Sequence, residues 1–304
     1  MARFLSHAAS LLVGLTVAVT PLGAQVTFRS ATQKEASPDS SANQEVVVQG
    51  QRRSVMRQLR DVIARNRGDQ LARFEDKVCP MVIGMPRDWT AAMTRMIRAN
   101  IESFGARLEA PGCRPNSLVI FIDQPAALVD AIRKEEPWLL GMEPRTARNF
   151  VADVGPITSW HVTDTMGADG ETLQAASIGG NNDVKISRSI TSSRLYTPVR
   201  QEMMLGMVVV EKGRTVGHTL RQLADIATMH LLLEVKASAG SKDPTSILSL
   251  FEPRPADQAK PQRLSRLDRG AMAGFYAQRD NNFTAAQQRS AIAKAIVEGA
   301  GEQR

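Results

Sequence analysis

Apolar residues open the chain as one nearly unbroken block and then divide into short runs with two spacings. The block, Ala8 to Leu22, spans 15 residues and follows Arg3, the only charged side chain before residue 25. That length fits the apolar core of a secretory signal better than a bilayer span. Pro21 breaks a helix just before the small pair Gly23 and Ala24, so the expectation is a Sec-type signal peptide over residues 1–24, cleaved near Ala24. An uncleaved anchor is the alternative. Beyond it, residues 25–44 are polar and rich in Ser, Ala and Gln, which predicts a disordered leader.

The remaining chain alternates strand-like and helix-like patterns. Glu45–Val48 reads as a short strand, followed by a basic helix over 54–66 with Val55, Leu59, Val62 and Ile63 on one face. Strands are expected at 78–84 and at Ser117–Ile122, whose continuous apolar run suits a strand buried on both faces. Helices are expected at 88–104, with Trp89, Met93, Met96, Ile97 and Ile101 at helical spacing, and at Pro125–Glu135, with more helix around 144–151. Ile157–Val162 reads as a strand, the Gly- and Asn-rich stretch 167–185 as a loop, 186–190 as a half-exposed strand, and Met203–Val210 as a central one. The last two are expected to pair antiparallel. Helices follow at 218–234, 245–251, 264–276 and 284–297, with Pro253, Pro255 and Pro261 marking a linker. The breadth of the apolar stripe at 218–234 marks a core helix. The fold class expected is α+β: an α/β part over 45–155, then an antiparallel strand pair packed on helices over 156–304, the two being separate or one continuous domain.

Composition narrows the picture. In 304 residues, 43% are hydrophobic and 23% charged, which excludes a wholly disordered chain. The two cysteines, Cys79 and Cys113, each sit beside Pro or Gly ahead of an apolar run. In an oxidising compartment they form a disulfide that closes a loop of about 35 residues, against the alternative of two buried thiols. The net charge of +7 concentrates at Arg52, Arg53, Arg57 and Arg60 on the first basic helix. Such a face can bind an anionic surface or another envelope protein. Nucleic acid is not expected as a partner: the chain is exported and has few aromatics for base stacking. Once the leader is removed, no stable transmembrane span is expected.

Candidate chemistry is sparse. The sequence holds no HExxH, GxSxG, GxGxxG or GxxxxGK[ST] motif, and neither metal nor cofactor is expected. His161, beside Trp160 on a predicted strand, and His230, on the widened apolar side of the helix, read as core or rim histidines with backbone partners. His218, Arg221 and Asp225 share the polar edge of the predicted helix 218–234 and form the best catalytic-looking set. His218 and Asp225 are about 10 Å apart along a helix axis, so Arg221 rather than His218 would pair with Asp225. The leading function is a non-catalytic envelope protein that binds or scaffolds another component. The rival is an envelope hydrolase built on those three residues.

The stretches EVVVQGQRR, RFEDKVCPMVIGM, APGCRPNSLVIFID, RQLADIATMHLL, SILSLFEP and LSRLDRGAMAGFY resemble a group of uncharacterised exported proteins of alphaproteobacteria. The resemblance implies a periplasmic or secreted location and no particular activity. EVVVQGQRR also looks like the segment near the plug start of TonB-dependent receptors, with Gln49 in place of the usual Thr. A strand pair followed by RQLADIATMHLL is similar in layout to a zincin core. Its zinc positions would fall near Gln222 and Ile226, which cannot supply ligands, so that likeness implies a catalytically inactive relative.

Overall fold

A mixed four-stranded sheet organises the protein, and the strand sequences show how it is covered. A computed structural model describes residues 40–64, 69–177, 183–186 and 196–299. The signal segment 1–24 and most of the leader lie outside the described residues. The elements are α1 (Ser40–Val62), β1 (Pro80–Ile83), α2 (Arg87–Ser103), β2 (Ser117–Ile122), α3 (Pro125–Glu135), α4 (Pro144–Ala152), β3 (Ile157–Gly167), β4 (Gln174–Ser177), β5 (Asp183–Ile186), β6 (Val199–Glu211), α5 (Leu220–Leu232), α6 (Arg266–Tyr276) and α7 (Ala285–Glu298).

The sheet order is β1-β2-β6-β3. β1, β2 and β6 run parallel, and β3 lies antiparallel to β6. Strands before residue 155 and after it therefore share one sheet. Successive side chains of a strand face opposite ways. Accordingly Val119 and Phe121 of β2 and Val208 and Val210 of β6 pack with Met93, Ile97 and Ile101 of α2 and with Ala224, Ala227 and Leu231 of α5. Ile120, Met207 and Val209 point the other way, against Val129 of α3, Ala147 of α4 and Leu140 of the 3₁₀ turn between those helices. From Ala42 onward the described residues form one compact unit. The fold is α+β, with an antiparallel strand pair, β3 and β6, packed on helices.

Several elements differ from the sequence reading. Glu45–Val48 is not a strand but part of α1, which begins at Ser40 inside the expected disordered leader. Three consecutive valines favour strand only weakly, and a helix anchored further along extends at little cost. The anchor is visible: Leu59 and Val62 enter the core, and Arg52 donates to Ser290 Oγ at 2.7 Å. The stretch 167–185 is not all loop, because β4 and β5 form a small antiparallel ladder there. β6 pairs with β3 rather than with the strand expected at 186–190, of which residues 187–190 lie outside the described residues. The stretch 245–251 narrows to a single 3₁₀ turn, Ile247–Ser249.

Cys79 and Cys113 are disulfide-bonded, with Cα atoms 6.1 Å apart. Asn116 fastens the same corner: Cys79 N–H donates to Asn116 Oδ1 at 2.7 Å, and Asn116 N–H donates back to the Cys79 carbonyl. Gly84, just after β1, has φ +88, and a Cβ there would collide with the Phe121 carbonyl oxygen. Only glycine lets β1 turn away so close to β2.

Candidate functional site

The start of α5 shapes an open cavity. Thr219 caps the helix, accepting from Gln222 N–H at 3.2 Å while Gln222 Oε1 accepts from Thr219 N–H. Gln222 Nε2 also donates to the Pro261 carbonyl at 2.8 Å, tying the proline-rich segment to the helix. Arg254 holds that segment from within, donating to the carbonyls of Ala259 and Pro244 and to Ser249 Oγ. Between this frame and the turn Lys212–Thr215 lies an open cleft of about 660 Å³. Arg214, His218, Phe251, Glu252, Arg254 and Lys260 line it.

His218 sits 3.3 Å from Lys260 through Nε2 and meets Phe251 edge-on, ring centres 5.3 Å apart. An ammonium group only donates, so Nε2 must accept and the proton of the neutral ring sits on Nδ1. Burial, and then the Lys260 charge, lower the His218 pKa. Nδ1 of His218 and Nε of Arg254 are both buried without an acceptor.

The other members of the expected set lie elsewhere. Asp225 is sunk in the core with its side chain 1% exposed, and Arg221 at 3.3 Å and Arg263 at 3.4 Å flank it. Asn100 Nδ2 donates to it at 3.0 Å and Leu264 N–H at 3.3 Å. Arg221 and Asp225 are thus brought together, as their spacing required, but they do not line the cleft that His218 faces. Asp225 joins α2, α5 and the start of α6. Gln222 and Ile226, the positions of the zincin likeness, are a capping side chain and a core side chain. Among the described residues no three His, Cys, Asp or Glu side chains converge as a metal site.

On α1, Arg53, Arg57 and Arg60 are exposed, whereas Arg52 is partly spent on docking the helix to α7. Val47 and Val48 are exposed on the same helix. No described helix is long and apolar enough to cross a membrane.

A second, smaller cavity of about 230 Å³ lies beside β3, lined in part by Ser159, His161, Thr163 and Glu234. Ser159 Oγ and His230 Nδ1 are 2.7 Å apart, and His161 Nε2 donates to the Leu231 carbonyl at 2.9 Å. His161 therefore has the backbone partner expected of it, while the partner of His230 is a serine hydroxyl. Burial pushes the His161 pKa down to about 4 and that of His230, with His161 as a lesser cause, to about 3. Burial raises Glu234 to about 7. These groups come from β3 and the end of α5, 71 residues apart for Ser159 and His230, so no local motif announces them. The cleft was hidden in the same way: His218 and Lys260 are 42 residues apart, and the segment bearing Lys260 reads as a linker.

No protein-family model, no curated protein and no solved structure matches this chain, so the geometry of its own residues carries the functional reading.

Proposed function

We propose that this is an exported protein of the cell envelope that binds a partner or ligand rather than transforming one. The observation that carries the reading is the environment of His218. A catalytic imidazole is usually oriented by a carboxylate that stabilises its protonated form. Here the neighbour is the Lys260 ammonium, which disfavours protonation, and Asp225 is held apart by two arginines. What remains is a cationic cleft suited to holding something.

The apolar leader before Ala24, the Cys79–Cys113 bridge and the resemblance to exported alphaproteobacterial proteins support a periplasmic or secreted location reached by a Sec-type signal. The exposed Arg53, Arg57 and Arg60, with Val47 and Val48 beside them, would let α1 rest on an anionic envelope surface or an envelope protein.

The test is expression with the leader intact, followed by fractionation, N-terminal sequencing and thiol titration. The expected product starts at Gln25 in the envelope fraction and has no free thiol. A chain starting at Met1 in the cytosol with two thiols overturns the location. Turnover of a panel of ester, phosphate and peptide substrates that disappears in His218→Ala would establish the hydrolase instead.

A further inference from the structure

We infer that the cleft between the turn Lys212–Thr215 and the segment 251–260 binds a small organic oxyanion, a phosphate or carboxylate carried on an apolar body. The inference rests on the binding reading above and supplies its ligand class. The charge is one-sided: Arg214, Arg254 and Lys260 line the cleft against the single carboxylate of Glu252. These cations have different tasks. Arg254 spends its terminal nitrogens on the carbonyls of Pro244 and Ala259 and so fixes the wall. Arg214 and Lys260 are exposed; Lys260 reaches the neutral His218 ring, and among the described residues no carboxylate pairs with either cation.

The wall behind them is short of acceptors. With Lys260 donating to Nε2, His218 is left with an Nδ1–H that meets no acceptor, and the Arg254 Nε–H meets none either. Two buried donors and two exposed cations on one cleft call for oxygen atoms from outside, because a buried polar group without its complement is disfavoured. Charge-assisted bonds from Arg and Lys are the usual way to hold a phosphate or carboxylate.

Apart from Gln258, the rest of the lining is apolar. Phe251 forms part of the floor, and Val216 stands 82% exposed at the rim. A bare inorganic ion would leave these surfaces wet, and a volume of about 660 Å³ is that of a small-molecule site. The pinned loop means that little ordering is required on binding.

The experiment is calorimetric titration of the mature, disulfide-bonded protein with phenyl phosphate, inorganic phosphate and phenol, at low and high salt. Phenyl phosphate is expected to bind more tightly than either of the others and to weaken as salt rises. The double variant Arg214→Ala/Lys260→Ala is expected to weaken it about tenfold or more, at an unchanged melting temperature. Glu252→Gln is expected to tighten it. Phenyl phosphate binding no better than phenol, or equally well to the double variant, overturns the assignment. Capture by phosphatidylglycerol vesicles without binding of any soluble probe overturns it too. Release of phosphate from phenyl phosphate would sink the non-catalytic reading while confirming the site. A cytosolic location with intact binding would sink only the envelope role.

Discussion

Asp225→Ala should damage the fold rather than a reaction, and the size of the loss follows from its neighbours. The carboxylate accepts from Asn100 Nδ2 and from Leu264 N–H, and it balances Arg221 and Arg263. After truncation the two guanidinium groups lose little, because they are 33% and 61% exposed and water takes over. Asn100 keeps a partner, since its Nδ2 also donates to Thr228 Oγ1 at 3.1 Å. Leu264 N–H is the real casualty: it is buried and gains no substitute. One orphaned donor, two lost charge-assisted bonds and a small void together cost about 3 kcal/mol. Asp225→Asn keeps the shape and one acceptor oxygen, so roughly 1–2 kcal/mol is expected. Urea unfolding followed by far-ultraviolet circular dichroism measures both. A loss of less than about 0.5 kcal/mol for the alanine variant, at an unchanged denaturant slope, would refute the reasoning. The same variants separate stability from activity, because His218→Ala removes a cleft residue and should leave the unfolding curve nearly in place.

Replacing Cys79 and Cys113 together by Ser should lower unfolding free energy by about 4 kcal/mol, from the chain-entropy cost of a loop of this length, and denatured wild-type protein should show no titratable thiol. Gly84→Ala should cost more than about 2 kcal/mol by thermal or urea unfolding, since it combines a positive φ with a clash against the β2 backbone. Stability should rise from about pH 4 to about pH 6.5, because acidification protonates unfolded histidines before buried His161 and His230. Glu234 opposes that rise between about pH 4.5 and 7, where the unfolded carboxyl is ionised and the folded one still holds its proton. Glu234→Gln should therefore steepen the rise, and an unchanged profile in that variant would contradict the burial argument.

Much of the fold could be read from side-chain periodicity, and the exceptions have physical causes. SLVIFI forms β2 at its expected bounds because a doubly covered strand tolerates no polar interruption. The broad stripe of α5 was legible for a similar reason: Leu223 through Leu232 are all buried, so nearly every side chain reports the core. β4 and β5 escaped because Gln174–Ser177 and Asp183–Ile186 carry few large apolar side chains, leaving backbone pairing without a hydrophobic signature. Val46–Val48 misled because local preference spoke for strand while the anchored helix beyond it decided the outcome. The pairing of Asp225 with Arg221 was legible at one helical turn. The cleft was not, since Lys260, Arg254 and His218 are assembled by tertiary packing, and no one-dimensional spacing records which loop closes over a helix start.

The placement of β6 has a consequence for the order of assembly. A polypeptide made from its N-terminus delivers β1 and β2 well before β6, yet β2 has β6 as its second neighbour and β3 has no other partner in the sheet among the described residues. Until Val199–Glu211 arrives, one flank of β2 and the whole of β3 present unsatisfied amides that a second molecule could capture. An early sulfur link at the far corner would keep β1 and β2 in register through that interval. The last long strand to emerge is therefore the keystone of the sheet, and truncation before residue 199 should yield aggregates rather than a smaller folded protein.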